Sequence, residues 1–319
     1  MSGPLLVEVT RGGRVESLHE VDAALVDTSG RILEEWGDAA RPVMPRSAIK
    51  PIQALPLVST GAADAFGLSD VELALACASH GGEPAHVDAI TGWLARLDLD
   101  FSALACGVQV PSSAPAAAGL AAAGGEATAV HNNCSGKHTG FLTVMRHLGL
   151  ELDGYLDPGH RLQADHVTPS IERTCGVDLE AAHPGVDGCG IPVWSMPLDR
   201  LASGWATLGA EPDGSPAHRL LSAMRSEPFL VAGSGRACTR LIGAATGGTV
   251  VKTGAEGVFC AVVPAAGLGV ALKVRDGAGR AAEVAVEWIL TRCGHLPDTT
   301  PSQLVNHSGV CVGEVRVVG

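Results

Sequence analysis

The 319-residue sequence predicts a mixed α/β fold of the α+β type, with one antiparallel sheet built from both ends of the chain and a helical region inserted between them. Strand-like runs separated by glycine turns fill the first forty residues, and similar runs return after residue 247. Helix-start signals fill the middle. We therefore expect a single domain over 1–319, with a sheet subdomain at about 1–45 and 230–319 and a helical region at about 46–229.

The individual elements follow from local signals. LLVEVTRG and RVESLHEV flank a Gly12-Gly13 turn, and PRSAIKPIQALPLV starts a helical pattern. Ser69 followed by Glu72 is a capping box that opens a short helix. Further helices are expected over residues 136–147, 158–175, 197–208, 216–225 and 280–292. We expect the Ala/Gly-rich residues 111–130 to form a loop or a tightly packed segment.

Composition narrows the class of protein. Hydrophobic residues make up 46% of the chain, which argues against disorder. A net charge of −12 argues against nucleic acid or an anionic membrane as the partner. The start of the sequence lacks signal-peptide features, and the apolar stretch from Gly257 to Val274 is broken by Pro264, which favours two strands over a membrane-spanning helix. We expect a cytoplasmic protein whose nine cysteines are reduced.

Lysine is scarce in this chain, which has only Lys50, Lys137, Lys252 and Lys273. Arginine supplies almost all of the other positive charge. A lysine amine can act as a base or bind a metal once it loses its proton, whereas the arginine guanidinium stays protonated in proteins. Each lysine is therefore a candidate functional residue.

Two lysines stand in patterns typical of serine hydrolases. Ser47 and Lys50 are three residues apart at a predicted helix start, and Lys252 lies in a Lys-Thr-Gly strand. Penicillin-binding proteins and class A β-lactamases carry Ser-x-x-Lys and Lys-Thr-Gly in the same order. Ser79, in CASHGGEP, follows a short helix at a Gly-rich junction. The alternatives are a helix-capping serine, a solvated lysine, an edge-strand lysine and a plain helix-ending turn.

Several stretches together resemble one known family, the asparaginase II family of rhizobial-type (class 3) L-asparaginases. They are VEVTRGGRVES, PRSAIKP, CASHGGE, HNNCSGKHTG, DGCGIP, AGSGR and VVKTGAEG. The combination of HNNCSGKH with a downstream DGCG is highly specific. The resemblance implies a serine β-lactamase-like, penicillin-binding-protein-like fold and a homodimer.

The resemblance also implies two Ser-Lys pairs and a metal. By position, Ser47 pairs with Lys50 and Ser79 pairs with Lys252. One zinc ion per chain is implied, held by Cys134, Lys137 and Cys189, with a fourth position open to water or substrate. Thiolates suit zinc, and three protein ligands are typical of sites that bind a further molecule. The alternative for Cys134 and Lys137 is an activated thiol without a metal.

Other polar residues near these motifs are candidates for binding the substrate. Asp187 and His138 flank the metal ligands and can orient a ligand or hold the substrate's α-amino and α-carboxyl groups. Arg46 is a candidate carboxylate partner. The glycines of residues 232–236 predict either an anion-binding turn or a plain one.

The predicted function is hydrolysis of L-asparagine to L-aspartate and ammonia through a Ser-Lys activated nucleophile. One alternative is another serine amidase of the same fold, a glutaminase or a β-lactam acylase. A second is a non-catalytic protein that binds zinc or an amino acid. Turnover of asparagine, glutamine and a β-lactam, measured side by side, distinguishes these functions.

Overall fold

The computed structural model describes residues 3–180, 182–297 and 302–318. Its strands form one large antiparallel sheet and two short two-stranded pairs. The strands are β1 (Leu5–Arg11), β2 (Arg14–Asp27), β3 (Ile32–Trp36), β4 (Pro42–Val43), β5 (Gly185–Val186), β6 (Pro192–Val193), β7 (Met196–Pro197), β8 (Val250–Thr253), β9 (Val258–Val263), β10 (Leu268–Val274), β11 (Ser302–Val305) and β12 (Cys311–Val318).

The helices are mostly short. They are α1 (Lys50–Gln53), α2 (Leu55–Ser59), α3 (Ala62–Ala65), α4 (Asp70–Ala76), α5 (Pro84–Arg96), α6 (Ala114–Ala122), α7 (Ser135–Leu148), α8 (Thr168–Cys175), α9 (Leu198–Ala210), α10 (Pro216–Ser226), α11 (Pro228–Ala232), α12 (Ala237–Ala244) and α13 (Gly279–Arg292). A 3₁₀ turn over Arg46–Ile49 leads into α1, and a π-helical turn over Leu162–Val167 leads into α8.

The chain folds into two compact units. The sheet unit comprises residues 1–48, 195–210 and 244–319, and the helical unit comprises residues 49–194 and 211–243. Among the residues that the structure describes, each unit has its own set of buried apolar side chains.

The large sheet of the sheet unit joins both ends of the chain. Its order is β11-β12-β1-β2-β10-β9-β8, with β3 on the long strand β2, and every pairing is antiparallel. All six residues of β9 are buried, as expected for a central strand covered on both faces. Helices α9 and α13 pack on this sheet. The mixed α/β fold with a sheet from both termini is therefore confirmed.

The helical unit packs around α4 and α7. Helix α7 contacts α4, α5 and α2, and α4 contacts α10 and α11. The predicted capping box is present at the start of α4, where Glu72 accepts hydrogen bonds from the backbone and hydroxyl of Ser69. Gly149 ends α7 in the left-handed conformation that glycine adopts without strain.

Two segments differ from the sequence-based expectations. The Ala/Gly-rich segment contains helix α6, none of whose residues is buried, so it is neither a plain loop nor tightly packed. Alanine has the highest helix propensity, which explains a helix without a buried face. The helix expected from Pro158 begins only near Leu162, because residues 157–160 form a turn closed by Asp157.

The apolar stretch from Gly257 to Val274 forms β9 and β10, joined by a 3₁₀ turn at Pro264–Ala266. The prediction of two strands and a turn is thus confirmed. Among the described residues, no helix is long and apolar enough to cross a membrane.

Candidate active site

A buried lysine amine contacts a serine hydroxyl in the helical unit. Lys50 begins α1, and its side chain is 1% exposed. Its Nζ lies 3.0 Å from Ser79 Oγ, 2.5 Å from the carbonyl oxygen of Ala78 and 3.4 Å from that of Asn133. Two segments that are far apart in sequence therefore meet at one amine.

The loop that carries Ser79 is hydrogen-bonded to the end of α11 and to the segment that follows it. The Ser79 amide donates to the carbonyl of Val231 at 2.9 Å. Ser234 donates its amide and its hydroxyl to the two carboxylate oxygens of Glu83, at 2.8 and 2.7 Å. The Gly-rich turn of residues 232–236 thus binds an anion, and that anion is the protein's own carboxylate.

His80 ties the same loop to the start of α7. The Ser135 hydroxyl donates to the Val130 carbonyl at 2.7 Å, so it accepts from His80 Nε2 at 3.0 Å. His80 Nδ1 accepts from the amide of Gly82 at 3.1 Å. This fixes a neutral imidazole protonated on Nε2, and burial accordingly lowers its pKa well below the ordinary histidine value.

Two cysteines and a lysine converge within the helical unit. Cys134 immediately precedes α7, Lys137 lies in its first turn, and Cys189 sits in the turn between β5 and β6. Lys137 Nζ donates to Cys189 Sγ at 2.9 Å, and the Cys134 thiol lies 2.8 Å from Asn133 Oδ1. All three converging side chains are less than 5% exposed. The structure therefore brings together the three residues predicted to bind zinc.

The electrostatics of this cluster favour one shared negative charge. A hydrogen bond from Cys189 and the positive charges of Lys50 and Lys137 lower the pKa of Cys134 against the opposing effect of burial. Burial would lower the pKa of Lys137, but the two cysteines outweigh it and raise that pKa. Lys50 also hydrogen-bonds Cys134, so the Ser-Lys contact and the cysteine cluster are connected.

His138 and Asp187 border the same cluster. His138 is fully buried, its Nδ1 lies 2.8 Å from the Tyr155 hydroxyl, and its Nε2 is buried with no hydrogen-bond partner among the described residues. Asp187 is half-buried and accepts from the Gly188 amide at 2.8 Å. Its negative charge contributes to the raised pKa of Lys137.

The remaining candidates belong to the sheet unit. Ser47 and Arg46 lie in the 3₁₀ turn that precedes α1, and Arg46 has a φ of 51°. Left-handed backbone at a residue other than glycine is strained, and such strain is concentrated at functional sites. Lys252 is fully buried in β8, where its Nζ donates to the carbonyl of Thr253 at 2.9 Å.

The Lys-Thr-Gly strand approaches the turn that carries Ser47 within the sheet unit. A Cβ atom on Gly254 would lie 2.7 Å from the Pro45 carbonyl oxygen and 3.3 Å from the Ala48 amide nitrogen. Only glycine permits so close an approach. The predicted pairings of Ser47 with Lys50 and of Ser79 with Lys252 stay predictions. The contact between Lys50 and Ser79 is a third pairing, which the sequence did not predict.

A match to a family model decides the family of this chain. The model described as L-asparaginase II matches residues 7–317. The chain belongs to the L-asparaginase II family. Membership identifies an asparaginase-like amidohydrolase that acts on a small-molecule substrate. A search of curated proteins found no match.

Solved structures similar to this L-asparaginase II family member have low sequence identity. One is a β-lactamase from Mycobacterium bovis, with a TM-score of 0.44 and 15% identity over 86% of this chain and 95% of the other. Another is a mutant simvastatin synthase from Aspergillus terreus, with a TM-score of 0.38 and 13% identity over 80% of this chain and 86% of the other.

The donor set of this L-asparaginase II family member fits a zinc ion. Two sulfur atoms and one amine nitrogen, from Cys134, Cys189 and Lys137, converge in a buried place, and Zn²⁺ prefers sulfur and nitrogen ligands. No group of three or more His, Cys, Asp or Glu side chains suited to a metal occurs in the described part of the chain. The two cysteines supply only two ligands, so the proposed zinc site needs Lys137 as its third.

Sequence reasoning missed three residues that organise the site. Tyr155 contacts His138, while His80 and Ser135 join the loop of Ser79 to α7. The available signal for Tyr155 was that it is the only tyrosine in the chain. His80 and Ser135 stand inside the two quoted motifs, CASHGGE and HNNCSGKH, but neither was assigned a role.

Proposed function

We propose that this protein is an L-asparaginase that hydrolyses the side-chain amide of L-asparagine through an acyl-serine intermediate. The observation that carries this proposal is the buried contact between Lys50 Nζ and Ser79 Oγ. A serine hydroxyl is a poor nucleophile until a base removes its proton, and a desolvated lysine amine is a suitable base. In the proposed scheme Lys50 takes the proton of Ser47, and the contact with Ser79 is the route by which that proton moves on. Family membership supplies the reaction class, an amide hydrolysis.

In the proposed first step, the hydroxyl of Ser47 attacks the amide carbon while Lys50 accepts its proton. Lys50 gives this proton to Ser79, which with Lys252 relays it to the departing nitrogen, so the C–N bond breaks, ammonia leaves and Lys50 can act as a base again. Water then attacks the acyl-serine ester, returns a proton to the serine oxygen and releases aspartate. The sum is asparagine plus water giving aspartate plus ammonia.

The surroundings of Lys50 support its role as the base. Two main-chain carbonyls, of Ala78 and Asn133, take up two directions around Nζ, and the Ser79 hydroxyl takes a third. With the further hydrogen bond to Cys134, these contacts hold Nζ in one position beside the Ser79 hydroxyl. Lys50 is 1% exposed, so bulk water does not compete for these contacts.

We propose that the substrate's α-amino and α-carboxyl groups bind Asp187, His138 and Arg46. The support for His138 is its buried Nε2, which lacks a hydrogen-bond partner among the described residues. The carboxylate of Asp187 suits an ammonium group, and the guanidinium of Arg46 suits a carboxylate. Such contacts orient the reacting amide relative to the nucleophile.

We further propose that one zinc ion per chain is held by Cys134, Lys137 and Cys189, and that the protein is a homodimer. A bound zinc ion would supply a Lewis-acidic anchor for substrate atoms. Because serines supply the nucleophile, we assign these three residues to positioning the substrate. Light scattering tests the dimer, since a dimer has twice the 32.4 kDa of one chain.

The deciding experiment is ammonia release from asparagine by the wild type, Ser47→Ala and Ser79→Ala. We expect turnover by the wild type and a loss of about 10⁴-fold or more for the nucleophile variant. Mass spectrometry of the quenched protein locates the acyl group on Ser47 or on Ser79. Glutamine and a β-lactam are assayed in parallel, and faster turnover of either would identify a different amidase. Binding of asparagine without any turnover would establish a non-catalytic binding protein.

A further inference from the structure

Tyr155 and His138 form a buried relay in the helical unit. The amide of Ala105 lies 2.8 Å from the Tyr155 hydroxyl, and that hydroxyl lies 2.8 Å from His138 Nδ1. Tyr155 is 2% exposed and His138 is fully buried. The relay is therefore shielded from bulk water, and its hydrogen atoms must be shared among these three groups.

Counting donors fixes the direction of the relay. A backbone amide can only donate, so the Tyr155 oxygen accepts from Ala105. Among the described residues, His138 Nδ1 is the only acceptor within reach of the single hydroxyl hydrogen of Tyr155, so that hydrogen points to Nδ1 and Nδ1 is the unprotonated nitrogen. The ring proton of the neutral His138 imidazole consequently lies on Nε2.

The resulting Nε2–H group has no hydrogen-bond acceptor among the described residues. A buried donor without a partner costs about 1–3 kcal/mol, so such groups are rare unless a ligand or a water completes them. A carboxylate oxygen of a ligand is a strong acceptor for a donor of this kind.

We infer that Tyr155 is a positioning residue, whose hydroxyl holds His138 in the Nε2–H tautomer so that Nε2–H donates to the α-carboxylate of the substrate. This inference rests on the proposed function. With the opposite tautomer, the lone pair of Nε2 would face that carboxylate and repel it. Tyr155 is the single tyrosine of the chain. A phenylalanine at this position would fill the same space but would lack the hydroxyl that holds His138.

The first test uses nitrogen NMR of the ligand-free protein. The chain has 12 histidines, and His138→Gln identifies the His138 signals by their loss. In the wild type we expect Nδ1 to show the shift of an unprotonated ring nitrogen and Nε2 that of a protonated one. Protonation of Nδ1 in the wild type overturns the inference. This result does not depend on turnover, so it is separate from the test of the proposed function.

The second test compares Tyr155→Phe with a matched control. Thr143→Val also removes a buried hydroxyl of the helical unit. That hydroxyl donates to the main-chain carbonyl of Thr139 at 2.8 Å, whereas the Tyr155 hydroxyl contacts His138. We expect Tyr155→Phe to raise KM for asparagine about 10-fold with kcat nearly unchanged, and Thr143→Val to change neither. An unchanged KM in Tyr155→Phe, or a loss confined to kcat, contradicts a positioning role.

A double-mutant cycle separates positioning from a general effect on folding. If Tyr155 acts through His138, then Tyr155→Phe should not raise KM further in a His138→Gln protein. Fully additive effects of the two substitutions overturn the inference. A wild type that releases no ammonia refutes the proposed function, whereas an active wild type whose KM is insensitive to Tyr155→Phe refutes only this inference.

Discussion

At Lys50, a single amine contacts the start of the loop after α4 and the segment before α7. It also hydrogen-bonds Cys134, one of the three proposed zinc ligands. The proposed chemistry at the serine and the proposed anchoring of the substrate therefore meet at one residue. The scarcity of lysine in the sequence pointed to this position before any contact was known.

Replacing Lys50 by arginine should abolish the base and keep the positive charge. An arginine guanidinium cannot accept the serine proton, so we expect kcat for asparagine to fall about 10²–10⁴-fold. Lys273→Arg is the matched control, because Lys273 donates to main-chain carbonyls of Glu256 and Val274 in the sheet unit. Steady-state ammonia release measures both, and normal turnover by Lys50→Arg would exclude Lys50 as the base.

The three proposed zinc ligands allow a prediction about the metal. We expect elemental analysis to find zinc in the wild type but not in Cys189→Ala, and we expect this substitution to raise KM more than it lowers kcat. Cys175→Ala, a change at another buried cysteine of the helical unit, should retain the metal. Chelation of the wild type should reproduce the effect of Cys189→Ala on KM. An unchanged KM with kcat lost would assign the metal to the chemical step instead.

At the scale of elements, the close packing of α7 on α4 holds the candidate site together. A Cβ atom on Gly136, in the first turn of α7, would lie 2.3 Å from the carbonyl oxygen of Leu75. Cys134 lies two residues before this glycine and Lys137 lies one residue after it. The close approach of the two helices therefore fixes the backbone positions of both residues.

Gly136→Ala should therefore destabilise the protein in spite of alanine's higher helix propensity. We expect a loss of about 1–3 kcal/mol in the free energy of unfolding, because α7 must move away from α4. Gly92→Ala, at an exposed position of α5 where a Cβ meets nothing within 4 Å, should instead gain about 0.5–1 kcal/mol. Urea unfolding measures both, and equal effects would show that helix propensity alone decides.

Local signals predicted elements well and predicted contacts between distant segments poorly. The Ser69–Glu72 capping box and the helices near residues 136–147 and 216–225 are encoded within a few residues of sequence. The hydrogen bond between Ser234 and Glu83 joins residues that are 151 positions apart, and the one between His80 and Ser135 joins residues that are 55 positions apart. No local pattern specifies such partners, so the motifs identified the participants but not their pairing.

The exposed helix α6 shows a different limit of sequence reasoning. Its Ala-rich sequence is apolar, which suggested packing or a loop, yet alanine also forms helices without help from a buried face. Composition was therefore compatible both with a loop or packed segment and with an exposed helix. The segment has no hydrophobic periodicity that would distinguish between them.

At the scale of the whole molecule, buried neutral histidines link stability to pH. Burial lowers the pKa of His80 well below the ordinary value and also lowers that of His86, which stacks on it with ring centroids 4.8 Å apart. In the unfolded chain these histidines take up protons near pH 6.5. The unfolded state thus binds more protons than the folded state below that pH.

The free energy of unfolding should therefore be highest above about pH 6.5 and decrease as the pH falls below it. His80→Gln retains a donor for Ser135 and does not titrate, so it should show a shallower decrease between about pH 6.5 and pH 5. Urea unfolding across this range measures the slopes. Equal slopes in the two proteins would show that His80 does not contribute to this dependence.

The pairing of β1 with β12 has a consequence for synthesis in the cell. Leu6 pairs with Val318 and Val9 with Val315, so one edge of the first strand is completed by residues that are synthesised about 310 positions later. At about 5–20 residues per second, a nascent β1 waits on the order of 15–60 s for that partner. During that time the strand offers unpaired backbone groups to any neighbouring chain, which makes early binding by a chaperone advantageous.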